Sequence, residues 1–109
     1  MSKITYNKLV RDGIPSIIEQ DGNTYAIEKV NDSEALELLH LKLQEELNEY
    51  LQSGETEELA DLLEVIHGIL SYKQLTFEEL EAIRPDKAAK RGGFKDGIKL
   101  LWVEKETGF

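Results

Sequence analysis

Residues 43–66 read LQEELNEYLQSGETEELADLLEVI. Apolar side chains recur every three or four positions on both sides of Ser53 and Gly54, which is the periodicity of amphipathic helices. Serine and glycine interrupt this periodicity and are typical of a turn. The segment therefore predicts two antiparallel helices joined by a short connection, and this helical hairpin forms the centre of the fold.

The same hairpin is rich in acidic side chains. Residues 43–72 include eight carboxylates and neither lysine nor arginine. At about 100° per residue, Glu46 and Glu49 lie about 80° and about 140° from the centre of the apolar stripe on the first helix. Glu58 and Asp61 have the same offsets, in the same rotational direction, on the second helix. The stripes are formed by Leu36, Leu39, Leu43, Leu47 and Tyr50 on the first helix and by Leu59, Leu62, Leu63, Ile66 and Leu70 on the second. The four carboxylates are therefore expected to converge on one side of the hairpin.

Converging carboxylates predict a site for one or two cations. Packed helix axes lie ~8–10 Å apart, so that side chains from both helices can reach a shared ion. Without a counter-ion the carboxylates would repel each other and raise their own pKa values. Ligation by oxygen alone favours Mg²⁺, with Mn²⁺ as an alternative, over zinc. The competing interpretation is a solvated acidic surface, which is common on exposed helices and at helix N-termini.

Capping residues bound the two hairpin helices. Asp32 or Ser33 offers a side-chain oxygen to the free N–H groups of the first helix, which is predicted to end at about Gln52. Thr56 offers the same to the second helix, which is predicted to end at about Gln74. The hairpin should thus consist of two long helices.

The rest of the chain predicts two further helices and a small β element. A short helix is expected over residues 15–20, and a longer one, kinked at its proline, over residues 76–91. Residues 24–30 (TYAIEKV) and 98–104 (IKLLWVE) have the composition of strands, and the second strand could pair with the first. We expect a mainly α fold, with a helical hairpin, a third helix and two strands, in a single domain spanning residues 1–109.

Two leucines on the acidic side of the first hairpin helix indicate an oligomer. Leu38 and Leu41 point to the same side as Glu45 and Glu49, so this helix should be covered on both faces. A chain of this size is too small to cover both faces itself. We therefore expect a homodimer or homotetramer that forms a helical bundle and leaves the acidic cluster in a cleft.

Charge and composition exclude several classes of function. The net charge is −9, from 13 basic and 22 acidic residues, which argues against binding a nucleic-acid polymer or an anionic membrane. No apolar run approaches the ~20 residues of a membrane span. The sequence has no cysteine, so that thiolate metal sites and cysteine nucleophiles are excluded. With no sign of a targeting segment, a cytoplasmic location is expected.

Four short motifs resemble one enzyme superfamily. EELNE at residues 45–49 and ELAD at 58–61 resemble the EExxE and ExxD motifs of the all-α nucleotide pyrophosphohydrolases, which include MazG-like enzymes, dimeric dUTPases and phosphoribosyl-ATP pyrophosphohydrolases. YNKLVRDGIP at 6–15 and KAAKRGGF at 87–94 resemble a MazG-like, phosphoribosyl-ATP pyrophosphohydrolase-like subgroup. The resemblance covers nearly the whole chain, although the spacer between the acidic motifs is shorter than in many MazG-like proteins.

This resemblance implies hydrolysis of a nucleoside triphosphate between the α and β phosphates, in house-cleaning or in control of nucleotide pools. The products would be the nucleoside monophosphate and pyrophosphate. A second enzymatic interpretation is hydrolysis of phosphoribosyl-ATP. An interpretation of another class is a catalytically silent helical oligomer that uses the acidic hairpin to bind a metal ion or a basic partner protein.

The resemblance also assigns roles to individual residues. The Mg²⁺ ligands would be Glu46, Glu49, Glu58 and Asp61. Glu45 and Glu49 would act in catalysis, Glu45 by supporting a ligand or orienting the attacking water. Basic side chains must hold the far phosphates, and the candidates are Lys8, Arg11, Lys87, Lys90 and Arg91. Lys90 and Arg91 are favoured because the two glycines that follow leave backbone N–H groups open to a phosphate.

Overall fold

A computed structural model describes residues 2–106 of the chain. Four helices follow each other in sequence: α1 (Ile14–Gln20), α2 (Asp32–Ser53), α3 (Thr56–Tyr72) and α4 (Phe77–Arg91). The mainly α fold class is thereby confirmed. In this part of the chain no helix combines the length and the apolar character that crossing a membrane requires.

The hairpin helices begin and end close to the predicted residues. Asn31, rather than Asp32 or Ser33, caps α2, because its extended backbone lets the side-chain oxygen accept a hydrogen bond of 2.8 Å from the N–H of Glu34. Gly54 ends α2 with a φ of 66°, a left-handed conformation that glycine adopts without steric cost. The predicted turn is thus confirmed.

The outer helices also follow their sequence signals. Pro15 lies in the first turn of α1, where its missing N–H has no intrahelical partner to lose. Pro85 lies inside α4, which nevertheless continues to Arg91. α3 ends at Tyr72, two residues before the predicted Gln74.

The prediction of a small β element is wrong for the described residues. Neither residues 24–30 nor residues 98–104 form a strand. Trp102, which the apolar pattern of that segment places in the core, is 73% exposed. Alternation of apolar side chains indicates only which sides of an extended chain they occupy, whereas a strand also needs a neighbouring backbone with which to pair.

The chain divides into two compact units, Met1–Phe77 and Glu78–Phe109. Within the first unit α2 packs against α3. Ala35 and Leu39 of α2 and Val65 and Leu70 of α3 are buried. Gly68 lets the helices approach, because a Cβ built there would lie 3.3 Å from Leu39 Cδ2. Placement of all 109 residues in a single domain stays a prediction.

The buried face of the hairpin differs from the predicted apolar stripe. Leu39 belongs to the predicted stripe on α2, whereas Ala35 and Glu46, which are also buried, lie beside the stripe on the side of the acidic residues. Leu47 and Leu59, which belong to the predicted stripes, are exposed. Relative to the predicted packing, the helices are rotated toward their acidic sides. The Glu46 carboxylate therefore lies in the helix interface, and Leu47 and Leu59 are left exposed.

Candidate metal centre on the acidic hairpin

Three carboxylates meet where α2 and α3 face each other. Glu46 of α2 and Glu58 and Asp61 of α3 each offer one oxygen, and these oxygens all lie within 4.8 Å of one another. Mg²⁺–oxygen bonds of about 2.1 Å place two ligands at most about 4.2 Å apart, so that small side-chain rotations would bring the three oxygens onto one ion. The spacing of these residues along the two helices correctly predicted that they converge.

Glu46 is the buried member of this acidic trio. Its side chain is only 10% exposed, and its Oε2 atom has no hydrogen-bond partner among the described residues. Burial raises the pKa of Glu46 to about 7, together with a hydrogen bond to Glu49 and the negative charges of Glu49 and Asp61. A buried carboxylate in this position either retains a proton or requires a cation.

Glu49 and Glu58 belong electrostatically to the same cluster. Removal from water raises the pKa of Glu58 most, and the charges of Glu49 and Asp61 raise it further. Glu49 is exposed, and it raises the pKa of both Glu46 and Glu58. The charges of Glu49 and Asp61 therefore act on both Glu46 and Glu58, although the role of each of the four as a metal ligand stays a prediction.

Basic side chains from outside residues 43–72 pair with this acidic hairpin. Lys8 Nζ donates to Glu45 Oε1 at 2.7 Å, and the Arg11 guanidinium donates to Asp61 Oδ1 at 2.8 Å. Lys42 Nζ lies 3.8 Å from Glu45 Oε2 and 3.9 Å from Glu46 Oε1. The absence of lysine and arginine from residues 43–72 therefore does not leave the acidic hairpin without basic partners.

The sequence contained a signal for only one of these partners. Lys42 precedes Glu45 and Glu46 by three and four residues, a spacing that places side chains together on a helix. Lys8 and Arg11 lie 37 and 50 residues from their partners. No local pattern predicts contacts at such a separation, although both residues were candidates for phosphate binding.

Glu45 differs from its neighbour Glu46 in its ionisation. The hydrogen bond from Lys8 lowers the pKa of Glu45, against an opposing effect of burial, and the charge of Lys42 adds to the lowering. The same hydrogen bond raises the pKa of Lys8. Glu45 is therefore a carboxylate at neutral pH, able to accept hydrogen bonds but weak as a base.

The remaining predicted phosphate ligands lie on α4. Lys87, Lys90 and Arg91 are exposed and belong to the unit Glu78–Phe109. Lys90 pairs with Asp86 at 3.2 Å, one turn earlier in the helix. Gly92 follows with a φ of 84°, as expected for a glycine that ends a helix. Their binding of phosphate stays a prediction.

A cleft of about 270 Å³ lies beside the Lys8–Glu45 pair. Its lining includes both apolar and polar side chains. The lining residues are Asn7, Lys8, Leu9, Leu38, Leu41, Lys42 and Glu45. Lys42, which lines the cleft, also lies 3.9 Å from Glu46 of the acidic trio.

Comparison with protein-family models, with curated proteins and with solved structures gives no match. The likeness to nucleotide pyrophosphohydrolases therefore depends on the sequence motifs alone. The geometry independently provides a group of oxygen ligands on two adjacent helices.

Proposed function

We propose that the chain is a Mg²⁺-dependent nucleoside triphosphate pyrophosphohydrolase. It would cleave the α–β phosphoanhydride to give a nucleoside monophosphate and pyrophosphate. The observation that carries the proposal is the buried Oε2 atom of Glu46, which has no hydrogen-bond partner in the described part of the chain and lies beside carboxylates from the facing helix. The motif resemblance supports the choice of substrate class.

The chemistry of the acidic trio fits a hard divalent cation. Glu46, Glu58 and Asp61 offer oxygen atoms, which Mg²⁺ and Mn²⁺ prefer. The nearest basic group to Glu46, Lys42 Nζ, is 3.9 Å from Oε1, a distance too long for a hydrogen bond. A cation would therefore relieve the cost of burying this carboxylate more effectively than any described side chain does.

Each residue of the centre has a separate task in this proposal. A bound Mg²⁺ would neutralise phosphate charge and lower the pKa of a bound water. Glu46, Glu58 and Asp61, whose oxygens converge, would hold the ion together with Glu49. Glu45, kept ionised by Lys8, would accept a hydrogen bond from the attacking water and orient it. The oxygen of that water would form a bond to the α phosphorus as the bond from this phosphorus to the bridging oxygen breaks; the water's proton would pass to solvent and pyrophosphate would leave.

Lys8 and Arg11 extend this arrangement toward the phosphates. Both lie at the rim of the acidic hairpin, and both are partly exposed to solvent. Lysine and arginine at such a position can contact phosphate oxygens that a metal ion leaves free. The α4 residues Lys87, Lys90 and Arg91 remain candidates for the same task.

A panel of nucleoside triphosphates and phosphoribosyl-ATP, assayed for pyrophosphate with Mg²⁺ or Mn²⁺, tests the proposal. Glu49→Ala and Asp61→Ala should abolish turnover while circular dichroism shows unchanged helix content. Glu57→Ala is a matched control, because Glu57 is an exposed residue in the first turn of α3 outside the trio. Failure to cleave any of these substrates with either metal would refute an enzymatic role.

One observation favours a catalytically silent metal-binding oligomer as the second candidate. Glu45 and Asp61 already have basic partners, so the hairpin is partly neutralised without any bound ion. Calorimetry separates the two candidates. The silent protein would take up Mg²⁺ but would gain no affinity for a non-hydrolysable triphosphate, whereas the enzyme would bind the triphosphate more tightly in the presence of Mg²⁺.

We also propose that the chain assembles into a homodimer or homotetramer. Exposed leucines on the hairpin provide suitable apolar surface, namely Leu41, Leu47, Leu51, Leu59 and Leu63.

A further inference from the structure

Arg11 places a positive charge on one member of the acidic trio. Its guanidinium donates to Asp61 Oδ1 at 2.8 Å, while Asp61 also offers an oxygen within 4.8 Å of those of Glu46 and Glu58. Glu46 provides a separate indication that a cation belongs here, because its buried Oε2 atom has no hydrogen-bond partner within residues 2–106. The guanidinium of Arg11 and a divalent ion from solution would thus compete for the Asp61 carboxylate.

We propose that Arg11 is an internal counter-cation that releases Asp61 when a divalent ion binds to the acidic trio. A guanidinium and a divalent ion at the same carboxylate repel each other. Arg11 is 55% exposed, so that the ion pair is weak and the side chain can leave it at little cost. The proposal concerns metal binding by the trio and holds whether or not the protein is an enzyme.

The second half of the inference rests on the proposed function. Once released, the planar guanidinium of Arg11 is positioned beside the metal and can form two parallel hydrogen bonds to phosphate oxygens. The Arg11 side chain would then move from Asp61 to the substrate. Arg11 is in that case a positioning residue for the triphosphate. The expected consequence is that Arg11 opposes binding of the metal alone and favours binding of the metal with nucleotide.

Lys8 provides a matched control for this exchange. It donates to Glu45 at 2.7 Å, a bond of nearly the same length and also between partly exposed groups. Glu45 is not one of the three residues whose oxygens converge. A change at Lys8 alters the net charge as a change at Arg11 does, but it frees no oxygen of the trio.

The experiment measures Mn²⁺ affinity by calorimetry for the full chain and for Arg11→Gln, Arg11→Lys and Lys8→Gln. Arg11→Gln should raise the affinity about two- to tenfold, because a weak exposed ion pair no longer competes. Arg11→Lys and Lys8→Gln should bind Mn²⁺ with nearly the affinity of the unmodified chain. The difference should shrink at high salt, where exposed charges are screened.

Three outcomes would overturn the competition. An unchanged or lowered Mn²⁺ affinity in Arg11→Gln would show that Arg11 does not oppose the ion or that it orients Asp61 for it. Equal gains in Arg11→Gln and Lys8→Gln would show a general effect of charge. A difference that persists at high salt would show that screened electrostatics are not the cause.

Binding of a non-hydrolysable triphosphate with Mg²⁺ tests the exchange to phosphate separately. Arg11→Gln and Arg11→Lys should both weaken this binding, since neither retains the guanidinium fork. Unchanged triphosphate affinity in both variants would refute the exchange while leaving the competition for Asp61 intact. If the unmodified chain binds Mn²⁺ but no triphosphate, the proposed function fails and the Mn²⁺ result still decides the role of Arg11.

Discussion

Replacing Glu46 by glutamine should stabilise the metal-free protein at alkaline pH. Glutamine has the shape of the protonated side chain, carries no charge and can donate a hydrogen bond to Glu49. The pKa of Glu46 is raised from 4.5 to about 7, chiefly by burial. In the absence of metal, ionisation of Glu46 therefore lowers the free energy of unfolding, and Glu46→Gln removes this destabilisation.

The magnitude follows from linkage between ionisation and folding. A folded-state pKa above the unfolded one means that the native protein binds the extra proton, so stability is greatest below pH 4.5 and falls as the pH rises toward 7. A difference of about 2.5 pKa units at about 1.4 kcal/mol per unit amounts to roughly 3 kcal/mol at pH 8. For a domain of this size the change corresponds to roughly 10–20 °C in Tm.

Urea unfolding in the presence of EDTA, at a fixed protein concentration, measures this effect. The free energy of unfolding of Glu46→Gln should exceed that of the unmodified chain at pH 8 by roughly 3 kcal/mol, and the difference should vanish near pH 4. Glu57→Gln is the control, because a change at an exposed position should alter stability by no more than about 0.5 kcal/mol.

Two results would refute this reasoning. One is equal stability of Glu46→Gln and the unmodified chain at pH 8 without metal. The other is a metal-free chain whose stability rises between about pH 5 and pH 8, which would mean that Glu46 is ionised at little cost in the folded state.

Three further predictions concern the same hairpin and its assembly. Mg²⁺ or Mn²⁺ should raise the Tm of the unmodified chain at pH 8. The same ion should have little effect on the Tm of Glu46→Gln, because this variant lacks the buried charge that the ion neutralises. Equal increases in Tm for the two proteins would contradict this prediction. Because Lys8 lowers the pKa of Glu45, the ionised Glu45 stabilises the fold above pH 4.5, and this stabilisation is lost on acidification. Glu45→Gln should therefore be less stable than the unmodified chain at neutral pH and should lose less stability in acid. Parallel pH profiles of the two proteins would exclude the Lys8–Glu45 pair as the cause. Leu51→Glu, at a leucine that is 71% exposed, should reduce the mass measured by analytical ultracentrifugation without reducing helix content, whereas an unchanged mass would show that this flank is not an interface.

The helices were predictable because their signals are local. Apolar periodicity indicated α2 and α3, and a glycine with positive φ ends α2 where the sequence predicted a turn. Capping was predicted less accurately, since Asn31 satisfies the first turn of α2 as well as either predicted residue can. The two strands were predicted wrongly because a strand depends on a pairing partner that no local pattern specifies.

The sequence by itself determined that carboxylates of the two hairpin helices meet, although it placed Glu49 among them and the oxygens that converge are those of Glu46, Glu58 and Asp61. Helical spacing and the position of the turn set the direction and height of Glu46, Glu58 and Asp61, and these properties do not depend on anything outside the hairpin. Only the tertiary structure decided how this cluster is neutralised. The rotation of α2 against α3 buries Glu46, and the contacts of Lys8 and Arg11 join residues far apart in the chain, because packing of the whole unit selects them.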